Sequence, residues 1–510
     1  MKRLLVLLTV VLAVLGGAGV VALYPRLMPV SGAPDEVARA YLTAWRAGDL
    51  GAMRGLVADP PADFAERHRR FDAGLRVASL TVEAKTLTRD GEEAARLAFK
   101  GTRQIRDLRP WPFAGTLRLA VHDRRWKVLW GPEVLHPALR DGGSLRLTEI
   151  KVPSTELLTR TGEAMPKDHA AEPYLAELGG RLGAPVTGWA IEAERASQAR
   201  RLVTYQPAAK RKVRTTLSRP VQAAAARALD GVRQAAAIVA VRPGTGEVLA
   251  VADRLEPDAR GGRRAAFEEA TQPGGAFQVV TAAALLSAGL TPQSEVACPR
   301  DFTPKGTRRI ANPGRTAHGT VSLAKALALS CDTAFARQAV DRLGGGRLAA
   351  QAAALGFGRR LGSGVRGTCG TPPGEARRLP YDAIGHGTVR ATPLCMALVA
   401  AAVRNGTWHP PRLTAARTAR ALGKVRPKNV PVPRDVLSGL RAMLRAEAAQ
   451  RRLAKGSAGH TGGTRPGPGG RADAWFIGYR GDVAFAVLVK NGGPPRDSAL
   501  PIAARFLRAL

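Results

Sequence analysis

The sequence predicts a multidomain fold: an N-terminal membrane helix, a small α+β module and a larger mixed α/β domain. The chain has 510 residues, which is too long for one ordinary hydrophobic core. It opens with an apolar run, after which helical periodicity gives way to strand-like alternation. The expected segments are 1–24 (membrane anchor or signal), 34–150 (α+β module), 151–212 (shortened linker) and 213–510 (mixed α/β domain).

The N-terminal segment has the composition of a membrane helix. Lys2 and Arg3 precede an apolar run over 4–24, and about 20 such residues span a bilayer. Because positive charges tend to stay in the cytoplasm, we expect a single pass through the cell membrane with the bulk of the chain extracytoplasmic. No cleavage site of small residues directly follows the run, so an uncleaved anchor is the first interpretation and a cleaved signal peptide is the alternative.

The α+β module is predicted from two kinds of periodicity. Val37, Tyr41 and Trp45 recur on one face of a helical segment over 36–53, which Gly48-Asp49 interrupts. Alternating segments that predict antiparallel strands follow at 75–85, 93–101, 115–122 and 125–129. We expect the aromatic residues of this module to form its core.

The larger domain has the pattern of a sheet flanked by helices. Residues 237–241 and 484–489 are short apolar runs of the kind found in buried strands. Buried helical stretches are predicted at 282–286, 323–329 and 394–403.

Short motifs follow one another through this domain. They are Val213–Leu217, Pro273–Gln278, Ser330–Phe335, Gly385–Gly387 with Ala391-Thr392-Pro393, and Gly459–Gly462 leading to Ala474–Tyr479. In composition and order the set resembles the penicillin-binding protein family. The resemblance covers more than half of the chain and implies a mixed α/β, penicillin-binding/β-lactamase-like transpeptidase domain.

A second resemblance concerns the N-terminal module. Tyr41–Trp45 with Gly48-Asp49, and Trp126–Trp130 with His136-Pro137, resemble the cone-shaped, nuclear transport factor 2-like domain of low-affinity, resistance-type penicillin-binding proteins. The family's long pedestal region is short here, and its opening signature is degenerate at Val152–Gly162. Partner contacts made by the pedestal in relatives are therefore not expected to survive intact.

The resemblance implies a catalytic site whose chemistry is missing. The family places a serine nucleophile and a lysine base at Ser-x-x-Lys spacing, which puts both on one helix face. Here the two positions are Gly275 and Gln278. Glycine has no side chain to acylate, and a neutral amide accepts no proton at pH 7. Loss of the serine in a well-studied protease costs about 10^6 in turnover, so we expect no acyl-enzyme at Gly275.

The second and third motifs keep part of the family pattern. Ser330 matches, but Asp332 puts a carboxylate where the family has an amide. Thr461 and Gly462 match a strand that could hydrogen-bond an extended peptide, whereas His460 replaces a lysine and is expected to be mostly neutral at pH 7. Having lost two lysines and gained a carboxylate, the cleft is predicted to disfavour anionic ligands.

Two alternative nucleophiles stay open at the level of sequence. Ser330, His460 and Asp332 could meet as a serine–histidine–carboxylate triad, since such a triad is defined by geometry and not by chain order. The opposing interpretation is that Asp332 and His460 have drifted and merely share a hydrogen bond. Ser322 and Lys325 also form a Ser-x-x-Lys pattern, but we expect them at the start of the helix leading to the second motif.

The chain is strongly basic, with a formal net charge of +36 and a pI near 11.4. An exported chain meets little nucleic acid, and its densest basic patches lack interleaved aromatics, so no nucleic-acid partner is expected. The charge has two other interpretations: a solvated, arginine-rich surface, or attraction to anionic envelope polymers. The expected partners are the membrane and a peptidoglycan precursor or envelope-assembly proteins.

Four cysteines, Cys298, Cys331, Cys369 and Cys395, can pair in three complete ways. Cys298 and Cys369 lie in Pro- and Gly-rich loops and could bridge in an oxidising envelope. Cys331 and Cys395 lie in apolar helical runs, which favours small buried residues there. No metal or cofactor site is expected, and His386 is expected to be an ordinary polar group near a helix start.

The function favoured by the sequence is that of a penicillin-binding transpeptidase-domain protein of the cell envelope. We expect a catalytically inactive homologue, a pseudoenzyme with a binding or scaffolding role in peptidoglycan assembly. One alternative is an active, D,D-peptidase-like serine acyl-transferase or hydrolase that uses Ser330 with His460 and Asp332. Another alternative is a non-covalent sensor of muropeptides or β-lactams.

Overall fold

The computed structural model describes residues 30–165, 170–195, 198–208, 211–255, 264–362, 364–374, 376–422, 428–466 and 470–510. The helices, in chain order, are α1 Pro34–Ala47, α2 Leu50–Gly55, α3 Phe64–Leu75, α4 Glu172–Leu182, α5 Arg219–Ala228, α6 Ala265–Glu268, α7 Gln278–Ser287, α8 Leu323–Ala328, α9 Asp332–Gln338, α10 Gly344–Ala354, α11 Leu379–Asp382, α12 Pro393–Asn405, α13 Ala416–Leu422, α14 Arg434–Gln450 and α15 Ala499–Ala509. The strands are β1 Val77–Arg89, β2 Ala94–Ile105, β3 Trp111–His122, β4 Arg125–Leu129, β5 Ser144–Val152, β6 Thr155–Leu158, β7 Val186–Arg195, β8 Gln198–Tyr205, β9 Arg211–Arg214, β10 Ala236–Val241, β11 Val248–Asp253, β12 Glu295–Cys298, β13 Asp301–Phe302, β14 Ile310–Ala311, β15 Gly319–Ser322, β16 Thr407–Trp408, β17 Val430–Pro431, β18 Ser457–Gly463, β19 Ala474–Arg480 and β20 Val483–Val489.

The chain packs as two compact units. Of the described residues, the first unit comprises 30–152 together with 186–208, and the second comprises 153–185 and those from 211 onward. The segment predicted as a linker, 151–212, is thus divided between the units. Backbone pairing explains the division, because β7 pairs with β5 and with β8 in one antiparallel sheet of the first unit.

The first unit has the predicted helix followed by antiparallel strands, in the sheet order β1-β2-β3-β4. Helix α1 ends at Gly48, whose positive φ of 74° lets its N–H bond the carbonyls of Ala44 and Trp45. The predicted interruption is therefore confirmed. Tyr41, Trp45 and Phe99 are buried in the core, as expected for aromatics of this module. Helix α3 was not predicted, because few apolar residues mark its buried face.

The second unit is built on an antiparallel five-stranded sheet in the order β11-β10-β20-β19-β18. Successive side chains of a strand point to opposite faces. In β10, Ile238 and Ala240 pack with residues of α5 and α15, whereas Val239 and Val241 pack with residues of α7 and α12. Helices cover both faces, so the central strands are apolar throughout, which explains the continuous apolar runs in the sequence.

Edge strand β18 touches the 3₁₀ turn over Gly274–Phe277 that leads into α7. At Gly274, which has a φ of 52°, a Cβ would lie 2.1 Å from the Gly463 carbonyl oxygen. At Gly462 a Cβ would lie 1.9 Å from the Ala276 nitrogen. Both positions require glycine because two backbones meet there. This contact holds the first and third motifs side by side.

The disulfides correct the sequence-based prediction. The structure pairs Cys298 with Cys331 and Cys369 with Cys395, so the proposed Cys298–Cys369 bridge is wrong. Each bridge joins a loop or strand end to a helix start. Cys331 caps α9 close to the end of β12, and the α12 cap Thr392 donates a hydrogen bond to the carbonyl next to Cys369. The paired cysteines are 33 and 26 residues apart in the chain and are brought together only by the fold, so neighbouring residues do not indicate the pairing.

In the described part of the chain, no helix combines the length and the apolar character needed to cross a membrane. The anchor predicted over residues 1–24 lies outside the described residues.

Candidate functional site

A cleft of about 940 Å³ opens beside β18 in the second unit. Among the positions singled out in the sequence, the residues that line it are Gly275, Ser330, Asp332, Thr461 and His386. The remaining three, Gln278, His460 and Gly462, are buried next to it. The fold thus gathers motifs that lie up to 187 residues apart in the chain, from Gly275 to Gly462, around one cavity.

Gly275 occupies the position that would hold the nucleophile. A Cβ built there would lie 3.3 Å from the Gly462 Cα and 3.7 Å from the Gly463 nitrogen. The backbone has no positive φ, so a small side chain would fit after a shift of a few tenths of an ångström. The backbone around Gly275 therefore has room for a serine side chain, and steric exclusion does not explain why the residue is glycine.

Gln278 occupies the position of the base and is fully buried. Its Nε2 donates a 2.8 Å hydrogen bond to Asp332 Oδ1, which joins the first motif to the second. Its Oε1 has no hydrogen-bond partner among the described residues. An amide that is tied down in this way cannot take a proton from an attacking hydroxyl.

Asp332 is buried, and burial raises its pKa to about 7 even though Arg465 and the Gln278 hydrogen bond act to lower it. His386 Nε2 lies 3.9 Å from Asp332 Oδ2. Burial, with a smaller contribution from Arg465, lowers the pKa of His386 to about 3. The two side chains therefore meet as a neutral imidazole and a carboxyl group that titrates near neutral pH, and not as a firm ion pair.

His460 contacts a residue that sequence reasoning missed. Its Nδ1 lies 2.7 Å from Glu447 Oε2, and its Nε2 lies 3.0 Å from the Gly275 carbonyl oxygen. A carbonyl only accepts, so Nε2 carries a proton. Glu447 Oε1 accepts from the Thr461 N–H and hydroxyl at 3.2 Å each. Glu447 thus joins His460 to Thr461, and His460 joins Glu447 to the backbone of the first motif.

Glu447 left one signal in the sequence. It lies in α14 on the same buried face as Leu440, Met443 and Leu444, and only 1% of it is exposed. A carboxylate on an apolar helix face is rarely buried without a partner. That pattern identifies the residue but not its partner, which comes from a different element.

The proposed triad is not assembled. Ser330, with a φ of 51°, directs its Oγ to the Thr461 carbonyl oxygen at 3.5 Å. His460 is held by Glu447 and by Gly275, and Asp332 is held by Gln278. The triad alternative is therefore not formed, and neither is the Asp332–His460 hydrogen bond of the opposing interpretation, because each residue has a different partner.

The second Ser-x-x-Lys pattern is a helix start, as expected. Ser322 caps α8 by accepting a 3.2 Å hydrogen bond from the Lys325 N–H, and the Lys325 side chain is exposed. This is the ordinary role of an N-cap serine.

The charge of the cleft reverses another expectation. Its lining carries a single carboxylate residue, Asp332, but four arginines among the described residues: Arg451, Arg465, Arg471 and Arg496. The arginines come from three connections of the chain and could not be told apart from the general arginine excess of the sequence. The prediction that the cleft disfavours anions is therefore not supported.

Metal binding has no counterpart among the described residues, where no group of three or more His, Cys, Asp or Glu is arranged to hold an ion.

Comparison with known proteins assigns both units. Residues 236–510 match the family described as penicillin binding protein transpeptidase domain, and residues 33–143 match the NTF2-like N-terminal transpeptidase domain. Peptidoglycan D,D-transpeptidase PbpA of Mycolicibacterium smegmatis is 32% identical over 253 residues, which is 45% of this chain and 51% of that protein. PbpA of Mycobacterium tuberculosis is 31% identical over 200 residues, which is 33% of this chain and 40% of that protein. The chain thus spans about half the length, or less, of the curated relatives it matches.

Solved structures agree on the architecture. Penicillin-binding protein A from M. tuberculosis, described as an imipenem acyl-enzyme complex, is 26% identical with a TM-score of 0.51, covering 58% of this chain and 79% of that one. PBP2 of Pseudomonas aeruginosa is 20% identical with a TM-score of 0.53, covering 71% and 96%, and shows the fold alone. Because the family match over 236–510 takes in more than half of the 510 residues and all three motif positions, the chain belongs to the penicillin-binding protein transpeptidase family.

Proposed function

We propose that this chain is a non-acylating member of its family that acts by binding or scaffolding in peptidoglycan assembly. The observation that carries the proposal is the identity of the first-motif residues. Gly275 supplies no oxygen for an acyl bond, and Gln278 is an amide bound to Asp332. Both halves of the chemistry, a nucleophile and a base within reach of it, are missing at this position.

The setting of this role is the cell envelope. The curated relatives are named as peptidoglycan D,D-transpeptidases, and the N-terminal sequence predicts a single-pass anchor. The alignment with PbpA spans 51% of that protein, so its peptidoglycan setting, but not its transpeptidase activity, is carried over to this chain as part of the proposal. The proposed partners are the membrane and either a peptidoglycan precursor or envelope-assembly proteins.

The polar contacts of the site also favour binding over catalysis. Ser330 is the one motif serine in the cleft, and a general base must come within hydrogen-bond reach of the hydroxyl it activates. Both ring nitrogens of His460 are already engaged, Nδ1 by Glu447 Oε2 and Nε2 by the Gly275 carbonyl oxygen. Neither nitrogen is therefore free to take a proton from Ser330.

The test is acylation of the purified chain. The chain is incubated with a fluorescent penicillin and examined by intact mass, with penicillin-binding protein A from M. tuberculosis as the positive control. We expect no covalent adduct on this chain. An adduct would refute the proposal, and peptide mapping to Ser330 or Ser322 would identify an active-serine enzyme instead.

A matched variant shows whether the assay detects a competent cleft. Gly275→Ser combined with Gln278→Lys and Asp332→Asn restores the residue types that the family uses in the first two motifs and leaves His460 in the third. The Cβ geometry at Gly275 accepts a serine, and the asparagine removes the carboxylate beside the new lysine. We expect this triple variant to acquire an adduct that the unmodified chain lacks.

A further inference from the structure

The arginines that line the cleft come from three connections of the chain, because Arg465 and Arg471 share the one between β18 and β19. Arg451 follows α14, Arg465 follows β18, Arg471 precedes β19 and Arg496 precedes α15. Their convergence on one cavity is a property of the fold, because no two of them are closer than six residues in the chain. Like charges gathered around a cavity with low-dielectric walls produce a focused positive potential.

Two of these guanidinium groups form no ion pair with a carboxylate, although Arg465 acts on Asp332 at longer range. In the described residues, neither Arg465 nor Arg471 forms an ion pair, and both are exposed to the cleft. Arg451 Nε lies 3.9 Å from Glu447 Oε1, an oxygen that already accepts from Thr461.

The fourth arginine is only weakly paired. Arg496 Nε lies 3.6 Å from Asp497 Oδ1, and both side chains are largely exposed. Such surface pairs are worth little. Most of the donor capacity of Arg465, Arg471 and Arg496 is therefore open to a ligand, whereas Arg451 also donates to the Ala328 carbonyl oxygen at 3.4 Å.

The cleft also offers neutral donors. Thr464 Oγ1 accepts a 2.8 Å hydrogen bond from the Asp473 N–H, and its own proton has no acceptor among the described residues. Ser330 Oγ makes only a long contact of 3.5 Å with the Thr461 carbonyl oxygen. Asp332 opposes an anion weakly, because burial keeps this carboxyl group partly protonated near neutral pH.

We propose that the cleft binds, without a covalent bond, a ligand that carries two or more oxyanion groups, with Arg465 and Arg471 as its principal contacts. The planar guanidinium group can form two parallel hydrogen bonds with a carboxylate or with a phosphate. The ligand groups expected in the cleft are therefore carboxylates, phosphates or both. Because two unpaired guanidinium groups line the cleft, a ligand with at least two anionic groups would match them best. A volume of about 940 Å³ accommodates a ligand well beyond a single small ion.

This inference deepens the proposed binding role and rests on it for its biological meaning. It fails separately, however. A penicillin adduct on the unmodified chain would refute the non-acylating role and leave the anion site standing. An absence of anion binding would refute the anion site. The non-acylating role would stand, because it rests on the residues at positions 275 and 278.

The experiment is isothermal titration calorimetry of the full chain. The ligands are inorganic pyrophosphate and citrate, and acetate is the singly charged control. We expect saturable binding of at least one polyanion, much weaker binding of acetate, and affinity that falls with added salt. The preferred polyanion distinguishes a phosphate-bearing ligand from a polycarboxylate.

Paired variants locate the site. Arg465→Gln with Arg471→Gln should weaken binding of the preferred polyanion by roughly tenfold or more, because charge-assisted hydrogen bonds are lost. Arg434→Gln with Arg508→Gln removes the same charge from exposed positions outside the cleft and should change the affinity by less than about twofold. Equal losses in the two pairs would assign the binding to the general net charge of +36 and overturn the proposal, as would no saturable binding of either polyanion.

Discussion

Glu447 is predicted to be the main support of the third motif. It is 1% exposed and accepts from His460 Nδ1 at 2.7 Å and from the Thr461 N–H and hydroxyl at 3.2 Å. Glu447→Ala would leave His460 Nδ1 and the two Thr461 donors, all buried, without their partner. Each buried polar group left unsatisfied costs about 1–3 kcal/mol, and we expect the free energy of unfolding to fall by about 3 kcal/mol or more.

Glu447→Gln is the matched control. A glutamine Oε1 can still accept from Thr461, and its Nε2 can donate to Nδ1 of a neutral His460. The ring would then keep its Nε2 proton and its 3.0 Å bond to the Gly275 carbonyl oxygen. Because every hydrogen bond is retained and no charge stays buried, we expect a change within about 1 kcal/mol.

The assay must report on the second unit alone, because a chain with two compact units need not unfold in one step. Hydrogen exchange followed by mass spectrometry, across a urea series, gives the opening free energy of peptides that contain β18, β19 and β20. If Glu447→Gln proved as destabilising as Glu447→Ala, charge and not hydrogen-bond count would hold the motif. If Glu447→Ala were harmless, the buried pair itself would be refuted.

Two further predictions concern the same cleft. Burial raises the pKa of Asp332 from 3.8 to about 7, so the native state keeps a proton that the unfolded state releases, and stability falls as pH rises through that window. Asp332→Asn should therefore raise the unfolding midpoint more at pH 8 than at pH 5, and an equal gain at both values would contradict the burial argument. Gly274→Ala should cost more than about 3 kcal/mol, because its Cβ would lie 2.1 Å from a backbone oxygen at positive φ, whereas Gly275→Ala should be tolerated. Thermal unfolding of the two alanine variants side by side checks this, and similar losses would show that the backbone contact is not what demands glycine.

Local patterns in the sequence were enough to locate the cleft. The apolar runs at 237–241 and 484–489 are strands β10 and β20, and the interruption at Gly48 ends α1. The motif positions Gly275 and Asp332 line one cavity, as the family resemblance implied. These features could be predicted because periodicity and short motifs depend on residues that are close together in the sequence.

The features that were missed are those that depend on distant pairing. Glu447 reaches His460 from another element, and the β5–β7 pairing draws 186–205 away from the segment predicted as a linker. The disulfide pairing and the four cleft arginines were missed for the same reason. In each case the side chain has no distinctive neighbours in sequence, and only the fold brings it to its partner or, for the arginines, to the cleft.

The division of the chain into units has a consequence for its integrity. The chain passes between the units three times, after Val152, after Pro185 and after Ala208. A protease cut at any one of these crossings would divide the chain into two fragments that no covalent bond joins. After a cut at Val152, for example, β5 would be held to β7 of the other fragment by backbone hydrogen bonds alone. A truncation that begins at residue 153 would instead strand β7 and β8 without β5, and would expose the backbone of a sheet edge on which other chains can pair and aggregate.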